Sequence, residues 1–263
     1  MPPTRCGMRW KSLAILLAAS PFLVGFDGPD ARQALDAALR NLYQPDVLVA
    51  VELVIDEGLP DQEGVSFAYG RKTKGDETRT LVYDGDGRRD SARVLLFQKP
   101  GEPDRAFSSV GTRGQVRPVS MARYRASMFG SDFNYADFRA RRADDYRIEV
   151  LGKDRIDGED CRVLRLRPLE GPYTMLLTWI SEDRPVIVRT DYFDDAGLWK
   201  RYEARVDRIE KNIDWWVPME DEMTDLRTGR HTLRKVRNAI VGAEVPDEVF
   251  TLTQLARGKM PGF

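Results

Sequence analysis

Eleven short runs of β-branched and aromatic residues follow one another between residues 47 and 239, and this rhythm constrains the fold more than any other feature of the sequence. Gly, Pro, Asp and Asn separate the runs, and no long helical pattern lies between them. Strands connected so closely pair antiparallel, because parallel neighbours need long crossovers. We therefore predict a mainly β, meander-like antiparallel sheet. The runs are VLVAVELVI, VSFAYGRK, TRTLVYD, RVLLFQK, YRIEVLGKDRI, EDCRVLRLRP, TMLLTWIS, PVIVRTDYFD, LWKRYEARVDRI, WWVPMEDEMTDL and RHTLRKVRNA.

Some of these runs are apolar on both faces. VLVAVELVI and TMLLTWIS carry apolar side chains at odd and at even positions, so each face of such a strand needs cover. A curved sheet or open barrel wrapped over helices and a cavity would provide that cover. Asp157-Gly158 and Thr228-Gly229 predict tight hairpins, and DDAG at 194–197 predicts a looser one. Residues 100–120 break the rhythm and are predicted to be a loop with one short strand.

The N-terminus has the order of charge and hydrophobicity that is typical of an export signal. Arg5, Arg9 and Lys11 precede LAILLAASPFLVGF, which is too short and too interrupted by Pro21 to span a bilayer. We predict a signal peptide over residues 1–26, cleaved between residues 25 and 31, and a single domain over 27–263. An N-terminal helix of the fold is the alternative.

The predicted mature chain opens with a helix and contains one cysteine. ARQALDAALRNLY, residues 31–43, places Ala34, Leu35, Ala38, Leu39 and Leu42 on one face at helical spacing. Cys6 precedes the apolar run and would be removed with it, so Cys161 would have no intramolecular disulfide partner. We predict a soluble periplasmic protein that is held together by its core.

The sequence offers little for catalysis or metal binding. Its 41 basic and 42 acidic residues nearly cancel, which does not favour nucleic acid. DGDGRRD at 84–90 begins like a calcium loop, but Arg88 and Arg89 replace an oxygen ligand and the turn glycine. His231 is the only histidine, no Gly-x-Ser-x-Gly motif occurs, and adjacent carboxylates in a strand point to opposite faces. We predict no catalytic residue, no metal site and no cofactor.

The remaining candidates for function are apolar and aromatic. In TMLLTWIS the alternation separates Leu177 and Trp179 from Leu176 and Thr178. Because Thr178 is polar, we predict that the Leu177 and Trp179 face lines an apolar cavity. Neighbouring strands would add Val188, Phe193 and Tyr202 to this ligand-binding face. The alternative is that these side chains pack closely and leave no room for a ligand.

A set of motifs in the second half of the chain resembles a known family. MFGSDFNYADF is followed by YRIEVLGKDRIDGEDCRVLRLRP, TWISEDRPVIVRTDYFDDAGLWKRYE, WWVPMEDEMTDLRTGRHTLRKVRN and VFTLTQL. Over residues 113–255 this succession resembles the outer-membrane lipoprotein-sorting protein family, relatives of the periplasmic carrier LolA. The most specific elements are the turn of Gly130, Ser131, Asp132 and Phe133 with Tyr135, the pair Trp216 and Pro218, and Phe250-Thr251.

The resemblance implies a curved antiparallel sheet that forms an incomplete barrel, with a few helices covering an apolar cavity. It implies a monomeric carrier of lipid or of lipoprotein acyl chains, with an inner-membrane transporter or an outer-membrane acceptor as further partners. FGSDFNYADF would be a structural turn capped by Ser131 or Asp132, with its aromatic side chains in the core. The stretch before this turn is shorter than in the family and predicts a reshaped or missing barrel wall.

Two other functions remain open from the sequence. An envelope sensor or interaction module of the same fold would regulate a membrane partner. A hydrolase would use scattered carboxylates. A lipid that co-purifies with the protein favours a carrier or a lipid sensor, whereas an empty protein that captures a membrane partner favours the interaction module.

Overall fold

A computed structural model of the chain describes residues 29–43, 46–56, 65–84, 92–110, 114–120, 124–128, 130–242 and 244–257. The helices are α1 (Pro29–Leu42) and α2 (Leu252–Arg257). The first six strands are β1 (Val47–Asp56), β2 (Val65–Lys74), β3 (Glu77–Asp84), β4 (Ala92–Gln98), β5 (Arg105–Val110) and β6 (Arg117–Val119). The others are β7 (Tyr146–Ile156), β8 (Glu159–Pro168), β9 (Met175–Ser181), β10 (Ile187–Asp194), β11 (Gly197–Ala204), β12 (Ile209–Asn212), β13 (Trp215–Pro218), β14 (Glu220–Asp225) and β15 (His231–Val241).

Thirteen of these strands form one antiparallel sheet in the order β6-β5-β4-β3-β2-β1-β15-β14-β11-β10-β9-β8-β7. Two meanders therefore meet where the first strand, β1, pairs along its whole length with the last, β15. In the part of the chain that is described, β6 and β7 are the free edges, so the sheet stays open. The predicted mainly β fold, an incomplete barrel with few helices, is confirmed.

The strand boundaries differ from the predicted runs in two regions. The region 100–120 contains two paired strands, β5 and β6, where a loop with one short strand was expected. Two long runs are each divided in two, because β12 and β13 leave the main sheet as a separate hairpin. A 3-10 turn at 206–208 interrupts the first run, and Pro218, which has no backbone N–H to donate, ends the pairing in the second.

The predicted hairpin turns are present. Asp157 and Gly158 have positive φ angles of 48° and 88° and connect β7 to β8. Two successive residues with positive φ match the right-handed twist of the strands they connect. Thr228-Gly229 lies between β14 and β15, and DDAG lies between β10 and β11.

We call the face of the sheet covered by α1 the inner face. Ala31, Leu35, Ala38 and Leu39 of α1 are buried there, which confirms the amphipathic helix that the spacing predicts. The opposite, outer face is covered over β2–β4 by the C-terminal segment, where Val249, Phe250 and Leu255 pack. The C-terminal segment thus covers part of the outer face of a sheet whose strands carry apolar side chains on both faces.

One segment crosses the molecule from edge to edge. β6 ends at one free edge of the sheet and β7 begins at the other, so residues 124–128 and 130–145, the crossing segment, connect the two. Its buried side chains join the core that also contains α1. They include Tyr124, Met128, Phe133, Ala136 and Phe138. Residues 130–138, the described part of FGSDFNYADF, lie in the middle of this segment, and their buried side chains pack on the inner face of the sheet.

Two predictions concern residues outside those described. The expected signal peptide at 1–26 lies outside the described residues, and so does most of the Asp84–Asp90 turn. Among the described helices, none is long and apolar enough to cross a membrane.

Candidate functional site

Two adjoining cavities lie on the inner face of the sheet. Leu42, Ile187, Tyr202 and Arg234 line both and form the partition between them. The first cavity, of about 50 Å³, is further lined by Val47, Val49, Val51, Tyr69, Trp216 and Val236. The second, of about 80 Å³, is further lined by Leu39, Phe133, Phe138, Tyr146, Leu166, Leu176 and Tyr192. The walls are mainly aliphatic and aromatic, as in sites that bind apolar ligands.

The size of the cavities limits what they hold in this conformation. A cavity needs a volume of roughly 10–15 Å³ to hold a single water, so each of the two has room for only a few waters. A long acyl chain would need more space. α1 contributes Leu42 to the walls of both cavities and Leu39 to the wall of the second, so this helix forms one side of each.

The predicted ligand-binding residues are divided between the two faces of the sheet. Leu177, Trp179 and Val188 belong to a small outer-face cluster with Cys161 and Val163. Tyr202 lines both inner cavities. Phe193 is half-buried on β10 and lines neither cavity.

The prediction that Leu177 and Trp179 face the cavity is therefore wrong, although the predicted alternation of side chains along β9 is right. Leu176 and Thr178 line the inner cavity in place of Leu177 and Trp179. The polar Thr178 tolerates this position because its hydroxyl lies 3.4 Å from that of Thr190, within hydrogen-bonding distance. On the outer face the Trp179 indole N–H donates to Asp154 at 2.9 Å, and the Arg189 guanidinium lies 4.6 Å from the Trp179 ring centroid.

A buried ion pair stands in the partition between the cavities. Arg234 Nε donates to Asp221 Oδ1 at 2.8 Å, and the Tyr202 hydroxyl donates to the other carboxylate oxygen at 3.3 Å. Burial acts to lower the pKa of Arg234, but the Asp221 carboxylate outweighs it and holds this pKa above its ordinary value. The guanidinium is therefore charged and already neutralised by its partner. It also lies 5.2 Å from the Phe133 ring centroid, within cation–π distance.

A second ion pair fixes the crossing segment to the sheet. Lys200 Nζ lies 2.5 Å from Asp137 Oδ2, and both side chains are more than nine-tenths buried. The other Asp137 oxygen accepts a hydrogen bond from the Tyr173 hydroxyl at 2.7 Å. Burial lowers the pKa of Lys200, and the Asp137 carboxylate opposes that shift. The Lys200 ammonium also lies 5.2–5.4 Å from the ring centroids of Tyr173, Tyr192 and Trp199.

The GSDF turn is held by hydrogen bonds within the scaffold. Gly130 has a φ of +76°, a conformation that a side chain disfavours. The Ser131 hydroxyl donates to the Met128 carbonyl at 2.6 Å. Asp132 accepts hydrogen bonds from Arg230 and Thr232 at 2.7 Å each, which connects the turn to the start of β15.

The helical part of FGSDFNYADF is capped differently from the expectation. It is a 3-10 turn over Tyr135–Phe138, and the Asp137 carboxylate accepts the Asn134 backbone N–H at 2.8 Å. Neither Ser131 nor Asp132 caps it, because both side chains are engaged elsewhere. Phe133 is buried and Tyr135 is half-buried, whereas Phe129 is outside the described residues.

Sequence reasoning missed the two internal ion pairs, although one of them left a signal. Alternation along β11 places Lys200 on the same face as Tyr202, so a charged residue on an apolar face indicated an internal partner. The identity of that partner could not be predicted, since Asp137 is 63 residues away in the sequence.

Within the described part of the chain, no group of three His, Cys, Asp or Glu side chains is placed to hold a metal ion. Burial raises the pKa of Cys161 to about 11.

Comparison with known proteins gives these features a context. A family model described as "Uncharacterized protein" matches residues 76–257. The chain belongs to this family. Its fold is that of the outer membrane lipoprotein-sorting and LolA superfamily proteins. None of the curated protein sequences is similar enough to match.

Three solved structures share this LolA-like fold. A domain from Vibrio parahaemolyticus whose name includes "outer membrane lipoprotein-sorting protein" is 18% identical, with a TM-score of 0.74 over 87% of this chain and 97% of its own. A DUF1329 family protein from Desulfovibrio piger is 22% identical, with a TM-score of 0.75 over 86% and 98%. A LolA superfamily protein from Nitrosomonas europaea is 18% identical, with a TM-score of 0.62 over 85% and 98%. At these identities the likeness establishes the fold.

Proposed function

We propose that the protein is a non-catalytic carrier that binds a lipid or the acyl chains of a lipoprotein between α1 and the inner face of the sheet. The observation that supports this most is the pair of apolar cavities beneath α1 in a chain with a LolA-like fold. A chain buried there would gain roughly 0.8 kcal/mol for each methylene removed from water. Apolar contacts alone would then hold a long chain.

Binding of a long acyl chain requires α1 to move away from the sheet. The contacts that attach α1 permit this movement. At its C-terminal end Asn41 exchanges two hydrogen bonds with the backbone of Trp216, at 2.8 and 2.9 Å. Near its start Arg32 pairs with Asp144 at 2.6 Å, with Asp144 nine-tenths exposed. Exposed pairs of this kind contribute little to stability. Arg162 also donates to the Asp30 carbonyl at 3.1 Å, and the Ala143 N–H donates to Asp36 at 3.4 Å. The rest of the contact is made by the apolar face of the helix, which an acyl chain would replace with a similar contact.

The cellular setting belongs to the same proposal. Export through residues 1–26 would place the carrier in the periplasm. There it would receive acyl chains from an inner-membrane component and deliver them to an outer-membrane acceptor. The wording of the Vibrio parahaemolyticus and Nitrosomonas europaea names supports this setting.

Photo-crosslinking tests the location of the ligand. The purified protein would be delipidated, incubated with a fatty acid that carries a diazirine in its chain, irradiated and mapped by mass spectrometry. We expect adducts on α1 and on inner-face residues such as Ile187, and none on the C-terminal segment at 245–257, which covers the outer face. Adducts confined to the outer face would move the site. Absence of any binding, together with capture of a membrane protein, would favour the interaction module.

A further inference from the structure

A groove outside the barrel meets the second cavity at one arginine. The groove has a volume of about 490 Å³ and runs between the loop at 99–104 and the end of the crossing segment at 139–145. Arg141 lines both this groove and the apolar cavity beneath α1. Its side chain therefore stands between an aqueous entrance and an apolar interior.

The Arg141 guanidinium has unused hydrogen-bonding capacity. The residue is 8% exposed, yet no oxygen of the described residues accepts a hydrogen bond from it and no carboxylate pairs with it within 4 Å. Burial acts to lower the pKa of Arg141, but the neighbouring Tyr146 and Tyr43 phenols and the Asp145 carboxylate outweigh it, so the group remains cationic. A largely buried guanidinium that lines a groove and has no carboxylate partner there is a candidate for ligand binding.

A second arginine with a free donor lies beside it. Arg139 is also 8% exposed and pairs through Nε with Asp104, but its Nη1 is buried without a partner. Gln98 fixes this part of the chain, because its side chain accepts from the Ala140 N–H at 2.8 Å and donates to the Ala140 carbonyl at 3.2 Å. Both arginines therefore project from a backbone that is held in place.

The free donors converge on Gly171. A methyl group added at this glycine would lie 3.5 Å from Arg141 Nη2, 3.9 Å from Arg141 Nη1 and 3.8 Å from Arg139 Nη1. Three donor nitrogens of two guanidinium groups thus lie within 4 Å of one point that has no side chain. Two or more arginine donors around an open point match the geometry of carboxylate and phosphate oxygens.

The acidic residues of the groove mostly have partners of their own. Asp104 pairs with Arg139, Asp144 with Arg32, and Glu102 with Lys99. Asp145 accepts the Arg142 backbone N–H at 2.9 Å. Glu170, next to Gly171, is exposed and has no partner among the described residues, so it would repel an anion at this point.

We propose that Arg139 and Arg141 bind the anionic head of an amphiphile, a carboxylate or a phosphate, whose hydrocarbon chain enters the cavity beneath α1. This assignment rests on the proposed carrier function and adds the class of head group. Arg141 is placed for both roles, since it lines the apolar cavity as well as the groove that would admit the head. The acyl chain supplies affinity, and the two arginines select an anion over a neutral head group.

Ligands that share one hydrocarbon chain but differ in the head group separate the contributions of head and chain to the binding affinity. Dodecanoate, dodecyl phosphate and dodecan-1-ol would be titrated by calorimetry into delipidated wild type, Arg141→Gln and Glu170→Gln, with inorganic phosphate as the free-anion arm. We expect wild type to bind the two anions at least tenfold more tightly than the alcohol. Arg141→Gln should remove most of that difference by weakening the binding of the two anions. Glu170→Gln should increase anion affinity about two- to threefold.

Two further variants guard against loss of fold. Arg165→Gln removes a surface arginine that pairs with Glu149 at 2.7 Å on β7, and it should leave every affinity unchanged. Arg141→Lys keeps the charge and should retain part of the preference for anions. Thermal melts would establish that each variant is folded before its affinities are compared.

The outcomes distinguish this inference from the function on which it rests. Equal binding of anions and alcohol in wild type, unaffected by Arg141→Gln, would overturn the head-group site and leave the carrier intact. If inorganic phosphate binds and none of the amphiphiles does, the arginines form a site for free anions. That result would overturn both the head-group site and the carrier function. No binding by any ligand would also overturn both.

Discussion

The two faces of the same sheet are built from similar amino acids but are completed in different ways. The outer face is covered by the C-terminal segment over β2–β4 and has a small cluster around Trp179 and Cys161 over β8–β10. The inner face receives α1 and the crossing segment, encloses two cavities and contains the ion pairs Asp137–Lys200 and Asp221–Arg234. Apolar composition alone therefore does not create a cavity. The inner face has two because a helix and an irregular segment fill a curved surface incompletely.

The largest expected effect comes from breaking the inner ion pair beneath the crossing segment. Lys200→Met should lower the free energy of unfolding by about 3–5 kcal/mol, because Asp137 would remain buried without its cation. Urea denaturation of the purified variant measures this. Lys153→Met is the matched control, since Lys153 forms an exposed pair with Glu182 and should cost less than about 1 kcal/mol. Equal costs for the two variants would show that the inner pair does not fix the crossing segment.

Adjacent residues of β9 give a comparison of the two faces within one strand. Leu176→Ala should cost about 2–4 kcal/mol of stability, and Leu177→Ala, at a half-buried outer position, about 1 kcal/mol. Only Leu176→Ala should also change the binding of a fluorescent fatty acid, because only this residue lines a cavity. If Leu177→Ala binds the fatty acid more weakly and Leu176→Ala binds it normally, the ligand site lies on the outer face.

The smallest expected effect concerns Asp194, the last residue of β10. Hydrogen bonds from Arg227, assisted by the Ala196 N–H and Arg125, hold the pKa of Asp194 down at about 2. Because the pKa of Asp194 is lower in the folded state than in the unfolded state, the ionised carboxylate stabilises the fold. This stabilisation is complete above about pH 4 and is lost as the pH falls toward 2. Asp194→Asn should remove about 1–2 kcal/mol of stability at pH 6 and much less at pH 2.5. Chemical denaturation at the two pH values tests this, and an equal loss at both would contradict the assigned ion pairs.

The sequence determined most of the local structure. Alternation and turn residues located the strands of the main meander, and Asp157-Gly158 positioned a tight hairpin with both residues at positive φ. Helical spacing located α1 and its buried side. These features could be predicted because each depends on residues a few positions apart. The resemblance carried by GSDF, Trp-x-Pro and Phe-Thr supplied the fold class, which the shared fold supports.

The tertiary structure alone decided which face of each strand looks inward. Alternation assigns Leu176 and Leu177 to opposite faces but does not say which face meets α1, and the polarity of Thr178 gave the wrong answer because Thr190 satisfies its hydroxyl. The pairing of β1 with β15 depends on contacts between residues almost two hundred positions apart. The Asp137–Lys200 pair and the convergence of Arg139 and Arg141 on Gly171 depend on the crossing segment, whose course is set by the free edges it connects. Local sequence patterns carry no information about such contacts, because they form only after the sheet has brought distant segments together.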